Sequence, residues 1–145
     1  MKTSFRLLSI TSSIVLAIAI LSCTTQPPVE EEEKYSLEGV WKLVSGEWTI
    51  QDTLITFPGS EMQDLKSIKY LGKINWANVA QDTTMDMHWA HAGIYRVTED
   101  TYVEHFEIHN NTESIGDSAV FKYTLDGDKW TISSDWLKEE WKRIE

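Results

Sequence analysis

From Tyr35 onward apolar and polar positions alternate with a period of two, and helical spacing is nearly absent. A first strand is predicted over residues 37–48, with Leu37, Gly39, Trp41, Leu43 and Ser45 on one face and Val40, Lys42 and Val44 on the other. A weaker strand covers residues 53–57. Pro58-Gly59 breaks it, and Ser60-Glu61-Met62-Gln63 has the form of a capping box opening one short helix. Residues 66–71 and 73–79 pair as a hairpin around Gly72, followed by a polar loop over residues 81–86. Residues 89–97 and 102–109 form a second hairpin across residues 98–101. After a loop at residues 110–117, segments 119–125 and 129–133 pair across Asp126-Gly127-Asp128, where glycine accepts a positive φ. Residues 137–144 close the chain.

Short strands joined mostly by hairpins either split into a sandwich or curl into an up-and-down barrel, and only closure removes unpaired edges. The expected fold is therefore all-β: a small up-and-down antiparallel β-barrel of about eight strands with one short helix. No glycine-rich nucleotide loop or βαβ spacing is present. With one face turned inward, the alternation gathers Ile68, Tyr70, Ile74, Trp76, Trp89, His91, Tyr95, Tyr102, Glu104, Phe106, Phe121, Tyr123, Trp130, Ile132, Trp141 and Arg143. A barrel of about eight strands is wide enough to be filled by side chains or to hold one small ligand. The polar members His91, Glu104 and Arg143 are the informative ones, because burying them costs several kcal/mol unless each meets a partner, a polar ligand or water.

The chain has 145 residues, and its seven Trp, five Tyr and four Phe supply enough apolar surface for a core. One domain is expected at this length. A formal charge of −10 argues against nucleic acid as a partner. The single cysteine excludes an internal disulfide and a cysteine-based zinc site.

That cysteine stands at the end of an unlike segment. Lys2 and Arg6 give a positive start, residues 7–21 are mostly Leu, Ile, Val and Ala, and the first acid is Glu30. This is the layout of a secretory signal, too short for a spanning helix of about 20 apolar residues. Its exit, Ile20-Leu21-Ser22-Cys23, resembles a bacterial lipobox, which implies a signal peptide over residues 1–22 and lipidation of Cys23. Without Lys2 and Arg6 the charge of −10 becomes −12. Residues 24–34, with two prolines and four consecutive glutamates, read as a stiff, self-repelling tether. The expected organisation is signal peptide 1–22, lipidated cysteine and acidic tether 23–36, and barrel 37–145. The expected location is the bacterial envelope, with the membrane engaged through the lipid at the outer membrane, facing either the periplasm or the surface.

Gly39-Val40-Trp41 opens the first strand and resembles the Gly-x-Trp signature of lipocalins and related calycin barrels. In that family an arginine of the last strand stacks on the tryptophan and ties the chain ends together. The resemblance assigns barrel closure to Trp41 and Arg143. Four segments in order are similar to a lipocalin-like domain family of unknown function found in bacterial lipoproteins. They are Gly39–Ser45, Tyr102–His105, Phe121–Asp128 and Glu140–Arg143. The resemblance implies a fold more firmly than a ligand, since fold does not fix function.

Candidate chemistry is sparse. His88 and His91 have opposite parity, and His105 and His109 share a face about 13 Å apart at roughly 3.3 Å per residue, so neither pair alone is a zinc site. A cross-strand metal site or haem held by one histidine stays open as a minor alternative. No Gly-x-Ser-x-Gly elbow is present, and Glu104 and Glu107 face opposite ways. The expectation is a non-enzymatic protein, without metal or cofactor, that binds a small, partly apolar ligand. The proposed lining is Trp76, His91, Tyr95, Tyr102, Glu104 and Tyr123. The alternatives are a filled barrel whose surface contacts a protein or glycan, and, last, an enzyme using Glu104 or His91.

Overall fold

The structure, a computed structural model, describes residues 36–60, 62–84 and 86–145. The signal segment, Cys23 and the acidic run to Lys34 lie outside the described residues. Nine strands follow one another in chain order: β1 (Gly39–Ile50), β2 (Thr53–Phe57), β3 (Lys66–Leu71), β4 (Asn75–Asp82), β5 (Met87–Val97), β6 (Thr101–His109), β7 (Ser118–Asp126), β8 (Lys129–Ser133) and β9 (Leu137–Arg143). Every pairing is antiparallel, and β1 also pairs with β9 from Trp41↔Arg143 to Trp48↔Leu137. This closes an eight-stranded barrel. The length of β1 explains the ninth strand: its first residues pair with β3 (Gly39↔Leu71) and its last with β2 (Ile50↔Thr53), so β2 extends the sheet beside the barrel.

Two bulges set which residues face in. A register shift between Leu43 and Ser45 moves the inward face of β1 from Trp41 and Leu43 to Gly46 and Trp48. A second, between Ala92 and Gly93 of β5, leaves Glu107 of β6 without an opposite residue and turns His109 to the same side as Phe106. Gly93 is required there, because a Cβ would collide with the His105 carbonyl.

The interior differs from the expected roster on β3. Ser67, Lys69 and Leu71 are buried, whereas Tyr70 is 53% exposed and Ile68 faces outward across from Val79. Ile74 is also exposed and lies in the turn before β4. Ile68 and Tyr70 thus lie on the outer face beside β4, and Ser67 and Lys69 point into the core with Leu71.

The helix expected after Ser60 does not form: residues 62–65 run as bends and coil. Gln63 Nε2 donates to the Ser60 carbonyl at 3.2 Å, which is not the bond of a capping box. A helix nucleus is costly in so short a linker, and burial of Met62 and Leu65 against the barrel outweighs it. Helix among the described residues is limited to a 3-10 turn at Thr112–Ser114, capped by the Asn111 side chain.

Candidate functional site

The two ends of the barrel differ. At the end where β1 starts, Trp41, Tyr102, Trp130 and Trp141 are almost completely buried and pack edge to face or tilted, with Trp41–Trp130 at 5.4 Å and Tyr102–Trp130 at 5.0 Å between centroids, while the equally buried Trp76 packs on His91 and Phe106. The Arg143 guanidinium lies 4.2 Å over the Trp41 ring and donates to the Ser36 carbonyl at 3.0 Å and to the Glu38 carbonyl. The Trp41 indole donates to the Leu37 carbonyl at 2.8 Å. Gly39, at φ +139°, passes so close to Arg143 and the Glu145 carbonyl that no Cβ fits. This end is sealed.

The other end holds a cavity of about 490 Å³. Its walls are Trp48, Met62, Met87, Trp89, Phe106, Phe121, Ile132, Trp136 and Leu137, and the half-exposed Trp136 stands at its mouth. Its floor is polar: Ser67, Lys69, Asn78, His91, Glu104 and Glu139. Antiparallel alternation supplies this division. The starts of β3, β5, β7 and β9 meet the ends of β4, β6 and β8 around the cavity, while the opposite strand ends carry the sealed cluster.

Of the six expected lining residues, His91 and Glu104 line the cavity. Trp76, Tyr95 and Tyr102 are buried in the sealed half, where the Tyr95 hydroxyl donates to the Gly72 carbonyl at 2.6 Å. Burial, with Glu38 and Tyr70 nearby, pushes that phenol up to about 12. Tyr123 also belongs to that half, its hydroxyl donating to the Thr98 carbonyl at 3.1 Å. The structure places these four in the packed half, off the cavity lining. Their inward parity is right on β4 to β7, but they sit at the wrong height.

The floor is a bonded network. Lys69 Nζ donates to Glu104 Oε1 at 2.6 Å, both side chains about 4% exposed. Tyr102 donates to the same oxygen at 2.7 Å, and its phenol is raised by burial and by Glu104. The ammonium also sits 4.9–5.8 Å from the centroids of Trp141, Trp76, Trp130 and Tyr102. Glu139 accepts from the indoles of Trp48 and Trp141, each at 2.9 Å. Burial raises its carboxyl above the ordinary range despite Lys69 and these donors.

Beside it, Ser67 donates to Asn78 Oδ1 at 2.9 Å, and Asn78 Nδ2 meets His91 Nε2 at 3.1 Å, which assigns the proton of neutral His91 to Nδ1. Burial, then Lys69 and His109, drives His91 down to about 3. The bulge brings His109 within 5.2 Å of His91, ring to ring, a proximity that strict parity hid. Among the described residues no three His, Cys, Asp or Glu side chains are placed to hold a metal ion.

Lys69 and Glu139 are the principal residues missed in the sequence. Glu139 carried a signal, standing two positions before Trp141, and Asn78 stood two after Trp76. Lys69 carried none, because Ile68 and Tyr70 set the opposite parity.

No family model matches the chain, and no curated protein matches it. Solved structures do. A lipocalin-like protein from Bacteroides uniformis ATCC 8492 superposes with a TM-score of 0.52 at 11% identity, over 74% of this chain and 98% of that one. An uncharacterized protein from Bacteroides eggerthii DSM 20697 gives 0.51 at 11% identity, over 75% of this chain and 100% of the other. The fold is a lipocalin-like barrel. At this identity the likeness speaks for the fold and leaves the ligand to the cavity itself.

Proposed function

We propose that this lipocalin-like barrel binds a small, partly apolar molecule in its open half and does so without catalysis, held at the bacterial outer membrane by a lipid on Cys23. The carrying observation is the cavity of about 490 Å³ with aromatic and aliphatic walls and a polar floor. That size and lining are those of small-molecule sites, which run from about 300 to 1,000 Å³. A filled barrel acting only through its surface would leave no such void. Glu104 is held by Lys69 and Tyr102, and His91 is neutral and bonded to Asn78, which supports fixed polar contacts over proton transfer. Anchoring is supported by Lys2, Arg6, the apolar run and Cys23 at its exit.

One preparation tests both parts. The full chain, extracted from membranes of its host, should carry a small molecule in native mass spectrometry. The cavity-filling variant Ala119→Trp should fold and carry none, and Cys23→Ala should move to the soluble fraction. An empty wild-type barrel, or an Ala119→Trp variant with the same cargo, refutes cavity binding. A Cys23→Ala variant still in the membrane refutes the anchor.

A further inference from the structure

Lipocalin-like architecture leaves the chemistry of the ligand open, and the charges of this interior narrow it. Among the described residues the buried acidic and basic side chains are three carboxylates, Asp82, Glu104 and Glu139, and one ammonium, Lys69. Lys69 is committed to Glu104 and enclosed by four rings of the sealed half. Glu139 lines the cavity with two neutral indole donors, and no cationic group of the described residues lies within 4.0 Å of it. Glu139 is thus a buried carboxylate compensated only in part, by a Lys69 ammonium beyond 4.0 Å that is shared with Glu104. Its raised proton affinity is the same imbalance seen through titration.

The walls add a second argument. Trp48, Trp89, Phe106, Phe121 and Trp136 present aromatic surface to the cavity, and ring faces attract cations as well as flat apolar bodies. An anionic head would meet a floor where the two carboxylates Glu104 and Glu139 outnumber the one ammonium, Lys69. A neutral head would leave Glu139 uncompensated. The chain's charge of −10 also draws cations toward the mouth.

Resting on the cavity reading above, we propose that the ligand is an organic cation: a protonated amine on a flat, apolar body, its ammonium beside Glu139 and its body against the aromatic walls. The test is calorimetric titration of the full chain with three indoles of similar size: tryptamine, the neutral tryptophol and the anionic indole-3-acetate. At neutral pH tryptamine should bind roughly tenfold or more tighter than tryptophol, with indole-3-acetate weakest. In Glu139→Gln the advantage of tryptamine over tryptophol should fall below threefold.

If that variant fails to fold, the order among the three probes on the wild-type chain still decides. Equal or tighter binding of tryptophol or indole-3-acetate overturns the cation assignment while supporting cavity binding. A tryptamine preference that survives in a folded Glu139→Gln variant overturns the role of Glu139. If none of the three binds, the cation assignment falls, and the native mass spectrum separately decides whether the cavity holds anything else.

Discussion

The buried Lys69–Glu104 pair offers the sharpest test of the interior. Lys69→Met removes the ammonium and leaves the buried Glu104 carboxylate with Tyr102 alone, for about 3–5 kcal/mol. Glu104→Leu is worse. It strands an ammonium, for about 3–5 kcal/mol, and leaves the Tyr102 hydroxyl without its acceptor, for about 1–3 more. The four surrounding rings already hold the ammonium in the wild type, so they offset none of this loss. The combined penalty of about 4–8 kcal/mol approaches the whole stability of a domain this size.

Glu104→Leu should therefore be unfolded or barely folded at neutral pH. Adding Lys69→Met removes the stranded charge, and Met suits the aromatic cage. The double variant should lose only the Tyr102 bond, about 1–3 kcal/mol. Urea unfolding followed by tryptophan fluorescence reads all three variants. Rescue of Glu104→Leu by the second substitution is the expected result. A Glu104→Leu variant as stable as the wild type, or a double variant weaker than either single one, refutes the pairing.

Two further outcomes follow from neighbouring contacts. Arg143→Ala removes the guanidinium from the Trp41 face and from the carbonyls of Ser36 and Glu38, and should lower stability by about 1–4 kcal/mol in thermal unfolding; an unchanged midpoint refutes the closure role. His91 has its folded value depressed to about 3, so its contribution is complete above about 6.5 and is lost as pH falls toward 3. Its share of that slope reaches about 1.4 kcal/mol per pH unit. His91→Gln keeps an acceptor for Asn78 and should flatten the slope in urea midpoints across that range; an unaltered slope refutes the neutral, buried assignment.

The fold was legible because its determinants are local. Period-two alternation and turn residues located the strands to within three residues, and Asp126-Gly127-Asp128 marked the tight turn between β7 and β8. The closure by Trp41 and Arg143 came from the resemblance of Gly39-Val40-Trp41 to the lipocalin signature, and the two chain ends meet there. The misplaced helix shows the limit of a local signal. A capping box stabilises a helix already under way, and Met62 and Leu65 gain more from the barrel than from one turn of helix.

The site was legible by face and illegible by height and by charge. Alternation tells which side of a strand points inward, and it placed Trp76, Tyr102, Glu104 and His91 correctly on that axis. It does not tell which end of the barrel is packed. That depends on side-chain volume summed across all strands: four tryptophans and Tyr102 crowd the sealed end, while Ala119 faces the cavity. Charge misled more directly. Apolarity assigned Ile68 and Tyr70 to the core, yet Lys69 lies inside because Glu104, thirty-five positions away, waits three strands across. Such a pair is invisible to any window along one strand, since each partner alone reads as a surface residue. Only closure of the sheet makes burial of both affordable, so the network that defines the cavity floor is a property of the fold and not of any segment within it.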